Sequence, residues 1–207
     1  MRIDKTFIIS LPERKEDRLI PLLFKLHELG FEDYKVWAAT KDKNGALGLI
    51  KTIEKLFTEC IESGYENVLV FEDDVHFLRD DIMKQIEVCA DQLPSDYECL
   101  YLGCNLWQNV NFLHSPNLIP LYDSYALQSV IYSKRAMIKI IESIDNMKAF
   151  VPLDVLIQNR LMPHGKCFAA FPNLTSQIVS FSNIQNKIQD WQNVLETRFT
   201  ERTKHLI

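Results

Sequence analysis

Apolar and polar positions alternate along this chain with two different periods. The run "KTFIISL" (residues 5–11) sets β-branched and aromatic residues side by side, which predicts a short buried strand. Leu19, Leu22, Leu23, Leu26 and Leu29 then recur at helical spacing, predicting a helix that opens near Glu16 and is closed by Gly30. Pro21 falls inside that helix and is tolerated only in a first turn, which moves the start toward it. "YKVWAA" reads as a second strand and "KDKNGALG" as a turn. Residues 46–63 read as a helix with Leu49, Ile53, Leu56, Phe57 and Cys60 on one face, ending at Gly64. "ENVLVF" is apolar almost without a break, as suits a strand covered on both faces in a parallel sheet.

The alternation continues through a helix "DDIMKQIEVCADQL", a strand "YECLYLG", a strand "ALQSVIYS" and a helix "KRAMIKIIESI". Between them, "NLWQNVNFLHSPNLIPLYDSY" reads as irregular or hairpin structure. Strands alternating with helices predict an α/β layered fold with a mostly parallel sheet and flanking helices, in a single domain over residues 1–207. Ile184, Ile188, Trp191, Leu195 and Phe199 predict a C-terminal helix over 184–207, packed on the domain or on a second copy of the chain in a homo-oligomer.

Composition narrows the function classes. The 207 residues are 47% hydrophobic and 25% charged, ordinary for a globular chain, and the net charge of −5 disfavours a nucleic-acid backbone as the main partner without excluding a local basic groove. No apolar stretch is long enough to span a membrane, and the N-terminal run is too short for a signal peptide. Five cysteines without a C-x-x-C fit reduced core thiols, so the cytoplasm is the expected compartment. The "NLT" sequon at Asn173 is then incidental. A Rossmann dehydrogenase is disfavoured, since "PERKEDR" and not G-x-G-x-x-G follows the first strand.

Chemistry concentrates in "ENVLVFEDDVHF", where Glu72, Asp73 and Asp74 leave the end of a buried strand. Ligands of open α/β sheets bind beyond the carboxyl ends of strands. In extended backbone Glu72 and Asp74 share a face and Asp73 points away. Two converging carboxylates suit a hard cation, Mg²⁺ or Mn²⁺. A helix N-cap or solvated loop charge explains the same pattern, and both readings stay open here.

In order, "FIISLPERKEDR", "GYENVLVFEDDVHF", "ALQSVIYSKRAMIKIIE", "VPLDVLIQNRL" and "FPNLTSQIVSFSNIQ" resemble the segments of glycosyltransferase family 25, which includes lipopolysaccharide and procollagen galactosyltransferases. The similarity runs from about residue 4 to 186 and keeps Arg14 and Arg18 of the Arg-rich turn, with Glu-Asp-Asp in place of the Asp-x-Asp of GT-A enzymes. The chain departs from the family in "GALGLIKTIEKLF". Gly48 is kept there, Thr52 stands where Ser is usual and Ile53 replaces a histidine.

The resemblance implies a GT-A fold and transfer of a sugar, with inversion, from a nucleotide-sugar such as a UDP-hexose to a hydroxyl of a lipopolysaccharide or other glycan. Mn²⁺ or Mg²⁺ would be held by Asp74 and by Glu72, directly or through water. Asp73 would contact the ribose or a structural partner. Arg14 and Arg18 would meet the nucleotide phosphates, or else form a solvated charge cluster with Glu13, Glu16 and Asp17. Asp154 would be the general base, or an ordinary N-cap. Gln128 would reach the donor sugar, His76 or His164 would complete the metal shell, and Trp107 would stack on a sugar or pack. Modified nucleic acid or protein as acceptor, and a nucleotide-sugar-binding protein without turnover, are the alternatives.

Overall fold

The computed structural model describes residues 1–182 and 187–206, so Ile184 lies outside the described residues. In chain order the elements begin with β1 (Lys5–Ser10), α1 (Ile20–Glu28), β2 (Tyr34–Ala38) and α2 (Gly45–Glu62). β3 (Asn67–Glu72), β4 (Val75–Phe77), α3 (Ile82–Asp91), β5 (Cys99–Tyr101) and β6 (Asn105–Leu106) follow. β7 (Leu118–Pro120), β8 (Ser124–Tyr125), β9 (Ser129–Ser133), α4 (Lys134–Asp145) and α5 (Leu153–Arg160) come next. The chain continues with β10 (Cys167–Ala170), β11 (Thr175–Gln177), β12 (Ser180–Ser182), β13 (Lys187–Gln189) and α6 (Trp191–Thr203).

The central sheet has seven strands in the order β2-β1-β3-β9-β5-β10-β7. β2, β1, β3, β5 and β10 run one way, while β9 and β7 run the other. The mixed α/β fold with a mostly parallel sheet and flanking helices is as the periodicity predicts. Two strands qualify it: β9 inserts antiparallel between β3 and β5, and β7 emerges from the stretch read as irregular.

β3 explains the sheet's position. Val68 and Val70 belong to one buried cluster, with Phe57 and Tyr132, and Leu69 and Phe71 to the other, with Ile8 and Phe31. Alternate side chains of one strand thus feed two cores, which a strand can do only when helices cover both faces. Among helix faces, Ile53, Leu56, Phe57 and Cys60 of α2 all lie in the core as their spacing predicts.

Helix α6 is shorter than the 184–207 segment expected, because residues 187–189 pair with β12 as a strand. Its Leu195 and Phe199 are buried against this same chain, and Phe199 meets Phe171 with ring centroids 6.2 Å apart. All five cysteines are buried thiols. Asn173 is buried too, its amide bonded to Cys104 through the backbone N and O, which removes it as an acceptor for glycosylation. Among the described residues, no helix is long and apolar enough to cross a membrane.

Candidate active site

The site is built from the turn after β1 upward. Pro12 opens a 3-10 turn (Pro12–Arg14), and residues 15–19 form a π-helical turn closed by an Ile20 N–H bond to the Lys15 carbonyl. Pro21, with no N–H to give, stands at the head of α1, so the wider turn precedes it and the regular helix starts at Ile20. The turn brings Arg18 inward to 9% exposure, and its Nη1 lies 3.0 Å from Asp73 Oδ1 and 3.6 Å from Asp74 Oδ2. Arg14 stays at the rim of the same hollow and pairs with Asp17 at 2.6 Å. The Arg18 guanidinium thus lines the cavity while paired with the acidic cluster.

Glu72 and Asp74 are partly exposed and Asp73 is buried, the alternation that strand geometry leads one to expect, although the backbone does not stay extended. Extended backbone ends at Glu72, held by its N–H on the Gln128 carbonyl at 2.9 Å, and Asp73 and Asp74 form a turn into β4. Asp73 is buried between the Ser10 hydroxyl, which donates to Oδ2 at 2.6 Å, and Arg18. Register explains the Ser10 contact, since Ile9 of β1 lies opposite Glu72. Asp74 accepts from Gln177 Nε2 at 3.4 Å, and its carbonyl accepts from Ile178 N–H at 2.8 Å. Neither Ser10 nor Gln177 follows from motif reading. The Gln-containing segment "LTSQIV" was the one available signal for the latter.

Burial pushes the Glu72 carboxyl well above its ordinary range, and the negative charges of Asp74, Asp73 and Asp154 push it further. Burial likewise raises Asp74 to about 6, against the pull of Arg18. One guanidinium thus leaves the cluster short of positive charge, the condition in which a cation is favoured. Among the described residues, no group of three or more His, Cys, Asp or Glu side chains could hold a metal by itself. The pair Glu72 and Asp74 fits a hard ion that completes its shell from phosphate oxygens and water, not an all-protein cage.

Across the hollow stands α5. Pro152 is its N-cap residue, so Asp154 lies inside the first turn and is not the cap. The Asp154 carboxylate accepts from Val155 N–H at 2.9 Å, and burial raises its pKa above the usual value. The cavity shared by these residues has a volume of about 930 Å³. One wall carries Arg14, Arg18 and the three acidic residues of 72–74, with Thr40, Lys41 and Asp42 beside them; the other carries Trp107, Tyr125, Leu127, Leu153 and Asp154.

The helix α2 borders the first wall at its N-terminus. A Cβ on Gly48 would come within 2.6 Å of the Thr40 carbonyl, so only glycine lets the loop after β2 lie this close. Thr52 completes the clamp by accepting from Thr40 N–H at 2.8 Å and donating to the Gly48 carbonyl at 2.7 Å. Three expected contributors are placed elsewhere. Gln128 is 0% exposed, with Nε2 on the Gly103 carbonyl at 3.1 Å, beneath the cavity wall and out of reach of a donor sugar. His76 lies on β4 opposite Ser176, and exposed His164 ends a separate 3-10 turn; neither lines the cavity.

No family model matches the sequence, and no curated protein matches it. Among solved structures, the chain is similar to a glycosyltransferase involved in the glycosylation of the major capsid of PBCV-1, with a TM-score of 0.52 and 14% identity over 88% of this chain and 96% of that one. A Drosophila beta-1,4-galactosyltransferase 7 variant in complex with manganese, UDP-Gal and xylobiose superimposes less well, with a TM-score of 0.46 and 11% identity over 90% and 75%. At these identities the likeness is one of fold. The GT-A type of architecture expected from the sequence is what the chain adopts.

Proposed function

We propose that this protein is a GT-A glycosyltransferase, kin to glycosyltransferase family 25, that moves a hexose from a UDP-sugar to a hydroxyl of a glycan such as lipopolysaccharide, with inversion. One observation carries the reading: carboxylates from β3 and α5 and the arginine of the first turn line a single cavity at the carboxyl end of the sheet. Glu72 and Asp74 are the residues to hold Mn²⁺ or Mg²⁺, which when bound neutralises the leaving diphosphate.

Arg14, at the rim, is placed to meet the phosphates, and its pairing with Asp17 is partly exposed and weak enough to exchange. Arg18, on the same cavity wall, fixes Asp73 and steadies Asp74. Asp154 takes the proton of the acceptor hydroxyl as that oxygen bonds to the anomeric carbon and the carbon–oxygen bond to diphosphate breaks. Burial raises its pKa and so makes it a stronger base than a solvated aspartate.

The test is incubation with UDP-glucose, UDP-galactose and their N-acetyl forms in Mn²⁺, following UDP release by NMR. Slow release from one donor, lost in Asp154→Asn but with UDP still bound, is the expected result. UDP binding without release from any donor, acceptors included, would instead identify a binding protein.

A further inference from the structure

The second wall of the cavity has a use that the donor chemistry does not exhaust. Trp107 follows β6 directly, and Arg198 of α6 lies over its ring at 4.0 Å from the centroid. Tyr125 meets the indole edge-on, with centroids 5.9 Å apart and planes at 80°. With both neighbours in place the indole keeps 48% exposure and lines the cavity. A large aromatic ring covered on one side and left half-exposed beside a cavity of mixed polar and apolar lining is a binding surface, since nothing in the core is gained by leaving it there.

The platform is rigid. The Asp123 carbonyl accepts from the backbone N–H of Trp107 at 3.1 Å and of Gln108 at 3.2 Å, and Gln108 Nε2 donates to the Pro120 carbonyl at 2.7 Å. Asp123 also reaches α5, where its Oδ1 accepts from Gln158 Nε2 at 2.6 Å. Gln158 stands one helical turn after Asp154, so a single residue sets both the indole and the base. Ala126, between Tyr125 and Leu127, has a left-handed φ of 74°. A non-glycine residue is seldom held there, and strain of this kind concentrates at ligand walls.

Charge selects the class of ligand. The acidic residues lining the cavity, Asp154, Glu72 and Asp74 among them, outnumber its basic ones, Arg14, Arg18 and Lys41, while the Arg198 guanidinium is spent on the indole and on Asn105 Oδ1 at 2.9 Å. A phosphorylated or acidic acceptor meets net repulsion, whereas a neutral pyranose lays its C–H face on the indole and turns a hydroxyl to Asp154. We propose that Trp107 and Tyr125 form the acceptor subsite, taking an uncharged hexopyranose at the end of a glycan. This deepens the glycosyltransferase reading and rests on it only for the role of Asp154.

The test uses the full chain with UDP and Mn²⁺, titrated with methyl glycosides and trisaccharides of glucose, galactose and mannose. Indole N–H signals are followed by NMR, with Trp107→Phe giving the assignment. At least one neutral saccharide should move the Trp107 signal saturably. Trp107→Ala should weaken that saccharide at least about tenfold, and Trp107→Phe by no more than about threefold, as truncation of an aromatic anchor does. UDP affinity, by calorimetry, should be the same in all three proteins. A Trp107 signal unmoved by every saccharide overturns the proposal. So does UDP binding that collapses in Trp107→Ala, which would put the nucleobase on the ring. Salt-sensitive binding of oligothymidylate at Trp107 overturns it in favour of a nucleic-acid acceptor. Saccharide binding without any UDP binding keeps the subsite and removes the donor reading; UDP binding with no saccharide does the reverse.

Discussion

At the scale of single residues, Asp74 is pulled two ways: burial holds its carboxyl up to about 6, and Arg18 works against that rise. A native pKa above the ordinary 3.8 means the folded state binds the proton more tightly, so stability from this group is present below about pH 4 and lost as pH climbs through 6. In chelator, urea denaturation should show wild type losing roughly 1–3 kcal/mol more than Asp74→Asn between those limits. Parallel pH profiles for the two proteins would refute the shift. The same variant should abolish Mn²⁺-dependent UDP binding in calorimetry while its circular dichroism is unchanged. Equal UDP affinity with metal present would remove Asp74 from the cation site. The cluster itself was legible as sequence, as "EDD" after an apolar run. Which carboxylate Arg18 covers was not, because positions 18 and 73 meet only when the π-helical turn folds onto the end of β3.

At the scale of elements, two joints set the cavity. The first is α5 against the β6–β8 ribbon, tied by Gln158 and Asp123. Gln158→Ala should cost about 1–2 kcal/mol in denaturation, and should lower the transfer rate more than it changes UDP affinity, since the base and the indole lose their common anchor. Equal loss in both would mean that the bond only stabilises the fold. The second joint is the clamp of Gly48 and Thr52 on the loop after β2. A methyl at position 48 would have its carbon 2.6 Å from the Thr40 carbonyl. Gly48→Ala should therefore destabilise by about 1–3 kcal/mol in the same assay, and a change under a few tenths would show the loop free to retreat. Helices α2 and α4 follow their apolar spacing closely, because each packs one stripe against the core. The short strands β4, β6, β8 and β11 have two or three residues each, too few for a period to register.

At the scale of the whole molecule, ligand binding should report through stability. Saturation with UDP and Mn²⁺ at about 100 times the dissociation constant adds about 2.7 kcal/mol, which for a chain of this size is a rise of roughly 5–10 °C in melting temperature. The rise should vanish in chelator, and no rise with any nucleoside diphosphate would count against a donor site. What the sequence determined by itself was the layered α/β fold, through the strand and helix periods, and the place of the acidic cluster at the carboxyl end of β3. Those signals are local, since a period or a motif is carried by neighbours along the chain. Only the tertiary structure decided that β9 runs against β3 and β5, that Gln128 is fully buried and that Trp107 and Asp154 line one cavity. Each of these joins residues far apart in sequence, so it depends on which surfaces pack together, and no stretch of the chain records that alone.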